Sequence, residues 1–577
     1  MLLATYQPDI ESIGGSLTAS ALVAAIPLAT LFVMLGGLRI TAWISGLAAL
    51  AAALLVAIVG FGMPVDQAVL AGSQGAAFGF FPIMWIVINA IWVYNMTVHT
   101  GHFDVLRRSF GRVSDDMRIQ AIIIAFCFGA LLEALAGFGT PVAITSVMLI
   151  ALGFQPIKAA TLALVANTAP VAFGALAVPI TTLSTVTGYP VDTLGGLVGH
   201  QTPVLALFVP LALVFIVDGR RALRQVWLPA LVCGFAFAVA QWLTSTYFSV
   251  PLTDIVAALV GALAVVALLR FWQPAEGYQE VGDRRVDQPA DMEPVDMDAV
   301  SGRPAGSAAT TRSGGTGTRT GVRSEPAVTD SGGEIAKAYA PYLVIIAVFS
   351  LVQVPALKSA LAEAPFFSSF QWPGLHLLTA AGDPSTLPTF NLNWLGAAGT
   401  LMIISGLITM PIIGISPLAA ARAYLKTYVQ LAAAIVTVMA VLGLAYVMNS
   451  SGQTTSLGTW MAQTGSAFAL LSPVLGWLGV AVTGSDTSSN SLFGALQVTA
   501  AGRTGLDPAL MAAANSSGGV LGKMISPQNL AIAAAAVGMT GREGDIFRKV
   551  VGWSVLFLAV MCVLVYLQTT VLAWMLP

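Results

Sequence analysis

Three ionisable side chains stand inside runs otherwise apolar enough to lie in a bilayer: Glu133 in "EALAGFGTP", Asp486 in "TGSDTSSNS" and Lys523 in "NSSGGVLGKMISP". Charge at membrane depth is costly, so such groups are usually tied to a transport path or paired with one another. Lys523 is the natural counter-charge for a carboxylate substrate, and a compact ammonium suits a small monocarboxylate. Glu133, a carboxyl removed from water, is the first choice to gain and lose a proton during a cycle. Asp486 is the second choice, because Thr487, Ser488, Ser489 and Asn490 stand beside it to hydrogen-bond its ionised form, or else to bind a substrate hydroxyl or a sodium ion. The competing reading is a structural ion pair, Lys523 with Asp486 or with Glu133, closing an interface. No His, Cys, Asp or Glu spacing suggests a metal, and there is no phosphate-binding G-x-x-x-x-G-K-[ST] loop, so no cofactor and no direct use of ATP is expected.

The elements that must position these groups repeat. "NTAPVAFGALAVP" at 167–179 returns 348 positions later as "NSSGGVLGKMISP" at 515–527, each with Asn first, Gly seven places on and Pro twelve places on. Lys523 falls where the first copy has Ala175. Breaking a membrane helix frees N–H groups that favour an anion and carbonyls that can hold a cation or a proton donor. Asn offers both a donor and an acceptor, and Gly lets backbone approach a small ligand.

Composition supplies the setting. Of 577 residues, 57% are hydrophobic and 9% charged, with a mean hydropathy of +0.84. That is an all-α polytopic membrane protein, with about 12 to 14 transmembrane or part-spanning helices on the ~20-residue rule. A net charge of −2 argues against nucleic acid as a partner. The first apolar run has no basic lead-in or cleavage site and reads as a retained helix. Cys127, Cys233 and Cys562 all lie in apolar runs and read as packing residues. Residues 273–336 hold 17 of the chain's 52 acidic and basic side chains and are rich in Gly, Ser, Thr and Pro. They read as a disordered cytoplasmic linker between an N-terminal half, 1–272, and a C-terminal half, 337–577.

Laying Lys and Arg against the spans puts the N-terminus outside and Arg39, the Arg107–Arg118 cluster, Arg220–Arg224, the linker, Arg422, Lys426 and Arg542–Lys549 inside. The scheme closes only if 119–152 and 458–502 are re-entrant hairpins while 156–180 and 508–538 each cross once as broken helices. The halves are then inverted repeats whose interrupted segments meet near the midplane, the arrangement of secondary transporters. His99, His102 and His376 read as solvated surface residues. His200 borders a span near the external face and is weighed as a proton relay. Asp192 reads as a helix cap.

In "GFGTPVAI", "NTAPVAFGA", "TGSDTSSNSLFGALQ" and "MAAANSSGGVLGKMISPQNLAIAAAA", followed by "GREGDIFR", the chain resembles the bacterial and archaeal lactate permease family along essentially its whole length apart from the linker. The resemblance implies import of L-lactate, with D-lactate and glycolate, together with a proton across the cytoplasmic membrane. It also implies membership of the ion-transporter superfamily, an elevator movement, and hairpin tips that form the site. The corresponding positions are Gly139, Thr140 and Pro141 at one tip and Ser485, Asp486, Thr487, Ser488, Ser489 and Asn490 at the other. Asn167 with Thr168 and Asn515 with Ser516 and Ser517 stand at the two helix breaks. Ala134 and Leu135 depart from the small residues that commonly follow the hairpin Glu in the family. The expected partners are a 2-hydroxymonocarboxylate, protons and lipid, and a homodimer fits the class although no residue marks its surface. A sodium-coupled di- or tricarboxylate carrier is the alternative within transport. It is disfavoured by a core holding a single Lys. An intramembrane enzyme is the alternative outside transport, and no nucleophile with a base is visible.

Overall fold

The computed structural model describes residues 5–278 and 330–576, except Arg39, Arg112, Ala136, Phe138, Gln353, Ala380, Ala381, Asp383, Thr540 and Gly541. Most of the expected 273–336 linker therefore lies outside the described residues, as does the topology marker Arg39.

Apolar composition and helix propensity act together here. In hydrocarbon every backbone N–H and C=O must be satisfied within its own segment, and a helix is how one segment does that alone. Among the described residues, 11 helices are long and apolar enough to cross a membrane, or 12 if the bent pair Pro156–Ala166 and Val171–Thr187 counts as one span. Two shorter apolar helices, Thr140–Ala151 and Ala398–Ile413, complete the set. The chain is an all-α integral membrane protein, as its composition requires. Exposed Val59, Phe235, Leu263, Leu407, Val429 and Val563 give the outside the apolar character that a lipid environment accepts.

The helices sort into two packed groups. In one, Ala42–Leu55 and Val65–Phe78 lie on the 35-residue helix Pro417–Ser451, Ile26–Phe32 packs on Ala42–Leu55, and Leu17–Ala24 packs on Gln453–Met461. The other is built around two helix–tip–helix hairpins and two broken helices. The first hairpin runs down Met117–Leu135, turns, and returns along Thr140–Ala151. The second runs down Phe468–Thr483, turns at Gly484 and Ser485, and returns along Asp486–Thr504. Its arms start later than 458, because 462–467 forms a separate turn that joins the preceding helix Gln453–Met461. Gly139 and Gly484 turn the two tips with φ of 83° and 75°, a conformation that costs an L side chain about 1 kcal/mol or more.

At the base of the first hairpin Arg118 is fully buried. Its guanidinium donates to Asp116 at 2.7 Å, Asp218 at 3.3 Å, Gln225 at 2.5 Å and the Glu276 carbonyl at 2.7 Å. The sequence reading had used it only as a charge marking one side of the membrane. A second element absent from that reading is a two-stranded antiparallel ribbon, Phe367–Gln371 with Thr389–Asn393, between helices Gly332–Val352 and Ala398–Ile413. The N-terminus is tied to this loop by backbone pairing of Tyr6 with Leu377. The Tyr6 hydroxyl also donates to the carbonyls of Phe61 at 2.9 Å and Ser451 at 3.0 Å.

Candidate functional site

Each broken helix owes its break to local sequence. Pro156–Ala166 stops at Asn167, and after the turn at 167–170 the chain continues as Val171–Thr187, bent 65° from the first segment. Ala175, Leu176 and Ala177 then carry φ values of 45°, 59° and 60°. Three successive non-Gly residues in the left-handed region hold backbone strain of the kind found at functional sites. Pro179, lacking an N–H, fits the first turn of the helix that follows. In the second half Pro508–Gly522 is continuous, a short turn occupies Lys523–Ile525, and Pro527 opens helix Pro527–Ala536. The first break therefore runs from Asn167 to Ala177 and the second occupies 523–525, and the two overlap where the sequence repeat aligns Ala175 with Lys523.

Asn515 consequently does not mark a break, and this corrects the sequence reading. It sits mid-helix with its amide spent on neighbours: Nδ2 donates to Asn490 Oδ1 at 2.9 Å and Oδ1 accepts from Gln497 Nε2 at 3.0 Å. Asn490 in turn donates to the Pro179 carbonyl at 3.1 Å and to Ser516 Oγ at 3.2 Å. Ser516 Oγ donates to Asp486 Oδ2 at 2.6 Å, and Asp486 Oδ1 has no hydrogen-bond partner among the described residues. Asn167 is the opposite case, buried with neither amide atom partnered among the described residues.

Hairpins and broken helices cross between halves. Lys523 Nζ, on the second broken helix, donates to Glu133 Oε1, in the first hairpin, at 2.5 Å. Asn490, on the second hairpin, reaches Pro179 of the first broken helix. The ion-pair alternative for Lys523 is thus the arrangement observed, with Glu133 and not Asp486 as its partner. Glu133 Oε2 has no hydrogen-bond partner among the described residues, and Gly174 leaves room for this carboxylate: a Cβ there would stand 2.8 Å from Oε1.

A cavity of about 910 Å³ opens beside this pair. Its volume falls within the roughly 300–1,000 Å³ of small-molecule clefts. One wall carries Glu133, Gly137 and Thr140 from the first hairpin, Gly174 and Ala175 from the first break, Ser485, Asp486, Thr487 and Ser488 from the second tip, and Lys523 and Asn529 from the second break. The facing wall comes from the other helix group and carries no charged side chain: Ile40, Trp43, Leu431 and Val438 stand there with the neutral polar Thr41, Gln430 and Thr437. The first turns of Thr140–Ala151, Asp486–Thr504 and Pro527–Ala536 all reach the cavity, and each helix presents the positive end of its dipole there. Together with Lys523 they make a place for an anion.

Of the residues singled out in the sequence, Lys523, Glu133, Asp486, Thr140, Ser485, Thr487 and Ser488 border this cavity. Asn167, Thr168, Asn515, Ser516, Ser517, Ser489, Asn490 and Gly139 do not. The Asn490–Asn515–Ser516 set braces the second tip against its broken helix, and a Cβ on Gly139 would collide with Ile532. Leu135 is buried in the core, not facing lipid. His200 has both ring nitrogens engaged, Nδ1 with the Gly196 carbonyl at 2.7 Å and Nε2 accepting from Trp242 Nε1 at 2.9 Å, which ties it in place. One residue the sequence reading missed is Asp254. It is fully buried at the start of helix Thr253–Leu269, and its position at the head of an apolar run reads as an ordinary membrane-boundary residue.

A family model described as L-lactate permease matches residues 20–572. The L-lactate permease of Bacillus subtilis (strain 168) is 40% identical, with 98% of each chain covered. The glycolate permease GlcA of Escherichia coli (strain K12) is 40% identical over 97% of this chain and 98% of its own. The L-lactate permease of the same strain is 38% identical, with 98% of each covered.

Proposed function

This chain belongs to the L-lactate permease family, and from that premise we propose that it imports L-lactate, with D-lactate and glycolate, by proton symport across the cell membrane. The observation that carries the coupling is the buried Lys523–Glu133 pair on the wall of an anion-friendly cavity.

In the empty carrier Glu133 occupies the position a substrate carboxylate would take against Lys523, and the pair is neutral. A proton on Glu133 releases Lys523. Lactate can then bring its own carboxylate to the ammonium, and the site is neutral again. Either partner alone leaves one net charge among apolar walls, since a proton without lactate strands Lys523 and lactate without a proton crowds two carboxylates on one cation. Two unit charges 4 Å apart interact by about 4 kcal/mol at an effective dielectric of 20, so half-loaded forms are populated far less than empty or fully loaded ones. A carrier that moves only when neutral transports one proton per lactate. Thr140, Thr487 and Ser488 are the hydroxyls best set to receive the 2-hydroxyl of the substrate.

The movement we infer is of elevator type, with the hairpins and broken helices travelling against the N-terminal helices and Pro417–Ser451. The reading is supported by the cavity's lying between the two helix groups, with Glu133, Asp486 and Lys523 all on the side of the hairpins and breaks. It is supported too by the repeat of hairpin and break in each half, which we read as inverted and re-entrant. The test is uptake of labelled lactate into proteoliposomes holding the purified chain, under an imposed pH gradient with and without sodium. Accumulation driven by the pH gradient alone is the expected result, and a strict need for sodium overturns it.

A further inference from the structure

Behind Glu133, away from the cavity, lies a second buried carboxyl. Asp254 is 0% exposed. Its Oδ1 accepts from Gln241 Nε2 at 2.9 Å, and the same amide nitrogen donates at 3.2 Å to the carbonyl of Ala169, within the first helix break. Thr202 Oγ1 lies 3.4 Å from Gln241 Oε1 and completes a short chain of polar contacts. Among the described residues Asp254 Oδ2 has no hydrogen-bond partner and no Lys, Arg or His pairs with this carboxyl. Burying such a group is expensive, and a carboxyl kept at membrane depth without a cation is a functional candidate by default.

Its surroundings connect two places. The helix carrying Asp254 packs on the arm carrying Glu133, and Glu133 is close enough to act on it electrostatically. In the other direction Gln201, Thr202, Gln241, Thr244, Ser245, Ser249 and Thr253 are all buried polar side chains between Asp254 and the end of the bundle that the basic residues assign to the exterior. The other ionisable groups on the packed elements are Arg118 and Cys127 on the hairpin arm, Cys233 and Tyr247 on helix Trp227–Tyr247, His200 ahead of helix Thr202–Gln225, and Asp218, Arg220, Arg221 and Arg224 in the last two turns of that helix, where Asp218 pairs with Arg118. Cys127 and Cys233 face each other at 3.4 Å, and His200 is held at both nitrogens. Helix Gly174–Thr187 and the turn Val250–Leu252 bring none.

We propose that Asp254 is the carboxyl through which protons pass between the external side and Glu133. The proposal rests on the proton-symport reading. A protonated Asp254 gives its proton inward to the Glu133 carboxylate, breaking the pair with Lys523, and the Asp254 carboxylate then takes a proton from the external side. Proton and charge are conserved at each transfer. The alternative is that Asp254 merely anchors Gln241 beneath the helix break.

Asn at 254 separates these roles, because its side-chain oxygen can still accept from Gln241 while the group can no longer carry a proton. In proteoliposomes Asp254→Asn should slow pH-driven lactate uptake by about a hundredfold, the low end of what losing a positioned proton-transfer group costs. Lactate exchange at equal pH should slow far less. A small diffusible acid such as azide should restore part of the pH-driven rate, and Asp254→Glu should keep most of it. An unchanged pH-driven rate in Asp254→Asn overturns the proposal. So does an equal loss of uptake and exchange without azide rescue, which is the signature of an anchor. Failure of the wild-type protein to respond to a pH gradient would defeat the symport reading itself and is seen before any variant is compared.

Discussion

Lys523 and Glu133, 390 residues apart in the chain, meet at 2.5 Å where the second broken helix crosses the first hairpin. Both side chains are more than nine-tenths buried. Breaking a buried pair from one side leaves an uncompensated charge and costs about 3–5 kcal/mol, whereas replacing both partners is often close to neutral. Lys523→Met alone and Glu133→Leu alone should therefore lower thermal stability markedly, and the double variant should recover most of the loss. Melting curves of the purified single and double variants check this, and additive losses would show that the two charges are not energetically coupled.

Lys523→Ala should also abolish lactate binding while leaving the protein inserted in the membrane. Wild-type affinity in this variant, measured by calorimetry, would mean that the substrate carboxylate is held elsewhere.

Asn167 and Asn515 head the same sequence motif but should behave differently. Asn515→Ala removes contacts to Asn490 and Gln497 in a buried network and should cost about 1–3 kcal/mol of stability. Asn167→Ala breaks no observed side-chain hydrogen bond, so its melting temperature should stay close to wild type. Equal destabilisation by the two substitutions would contradict this assignment.

Close packing of the second hairpin on its own broken helix gives another test. A Cβ at Gly476 would lie 1.8 Å from the Asn515 carbonyl oxygen, whereas one at Gly552 meets nothing within 4 Å. Gly476→Ala should therefore sharply reduce folded yield in the membrane. Gly552→Ala should leave it unchanged, as judged by size-exclusion profiles of detergent-extracted protein.

Orientation can be read independently of transport. A cysteine at Ser114 should react only with reagents that reach the cytoplasm, and one at Gly382 should react from outside. External labelling at Ser114 would overturn the inverted arrangement of the two halves.

The elements of the site were legible because membrane depth makes polar residues conspicuous: Glu133, Asp486, Lys523 and the Gly-rich tips stand out against apolar sequence. What the sequence could not supply was partnership. Whether Lys523 faces a ligand or Glu133 depends on how two halves 390 residues apart pack, and no local pattern encodes that distance. Asn515 looked like a helix breaker because it heads the same motif as Asn167, yet Gln497 and Asn490 satisfy its amide inside an unbroken helix. Asp254 was overlooked because an acidic residue at the head of an apolar helix is usually a solvated boundary. Only packing of the surrounding helices buries it. The ribbon Phe367–Gln371 with Thr389–Asn393 lies in a polar loop whose pairing partner is 18 or more residues away in sequence, beyond short-range turn signals.

In the proposed cycle Glu133 and the lactate carboxylate compete for Lys523, with a proton deciding between them. Lactate affinity of the purified protein as a function of pH tests this most directly. With one proton taken up per lactate, as proposed, wild-type affinity should rise as pH falls, by at most about tenfold per unit. Glu133→Gln cannot form the carboxylate and should bind lactate tightly with an affinity nearly independent of pH. A Glu133→Gln variant that keeps the wild-type pH dependence would contradict the claim.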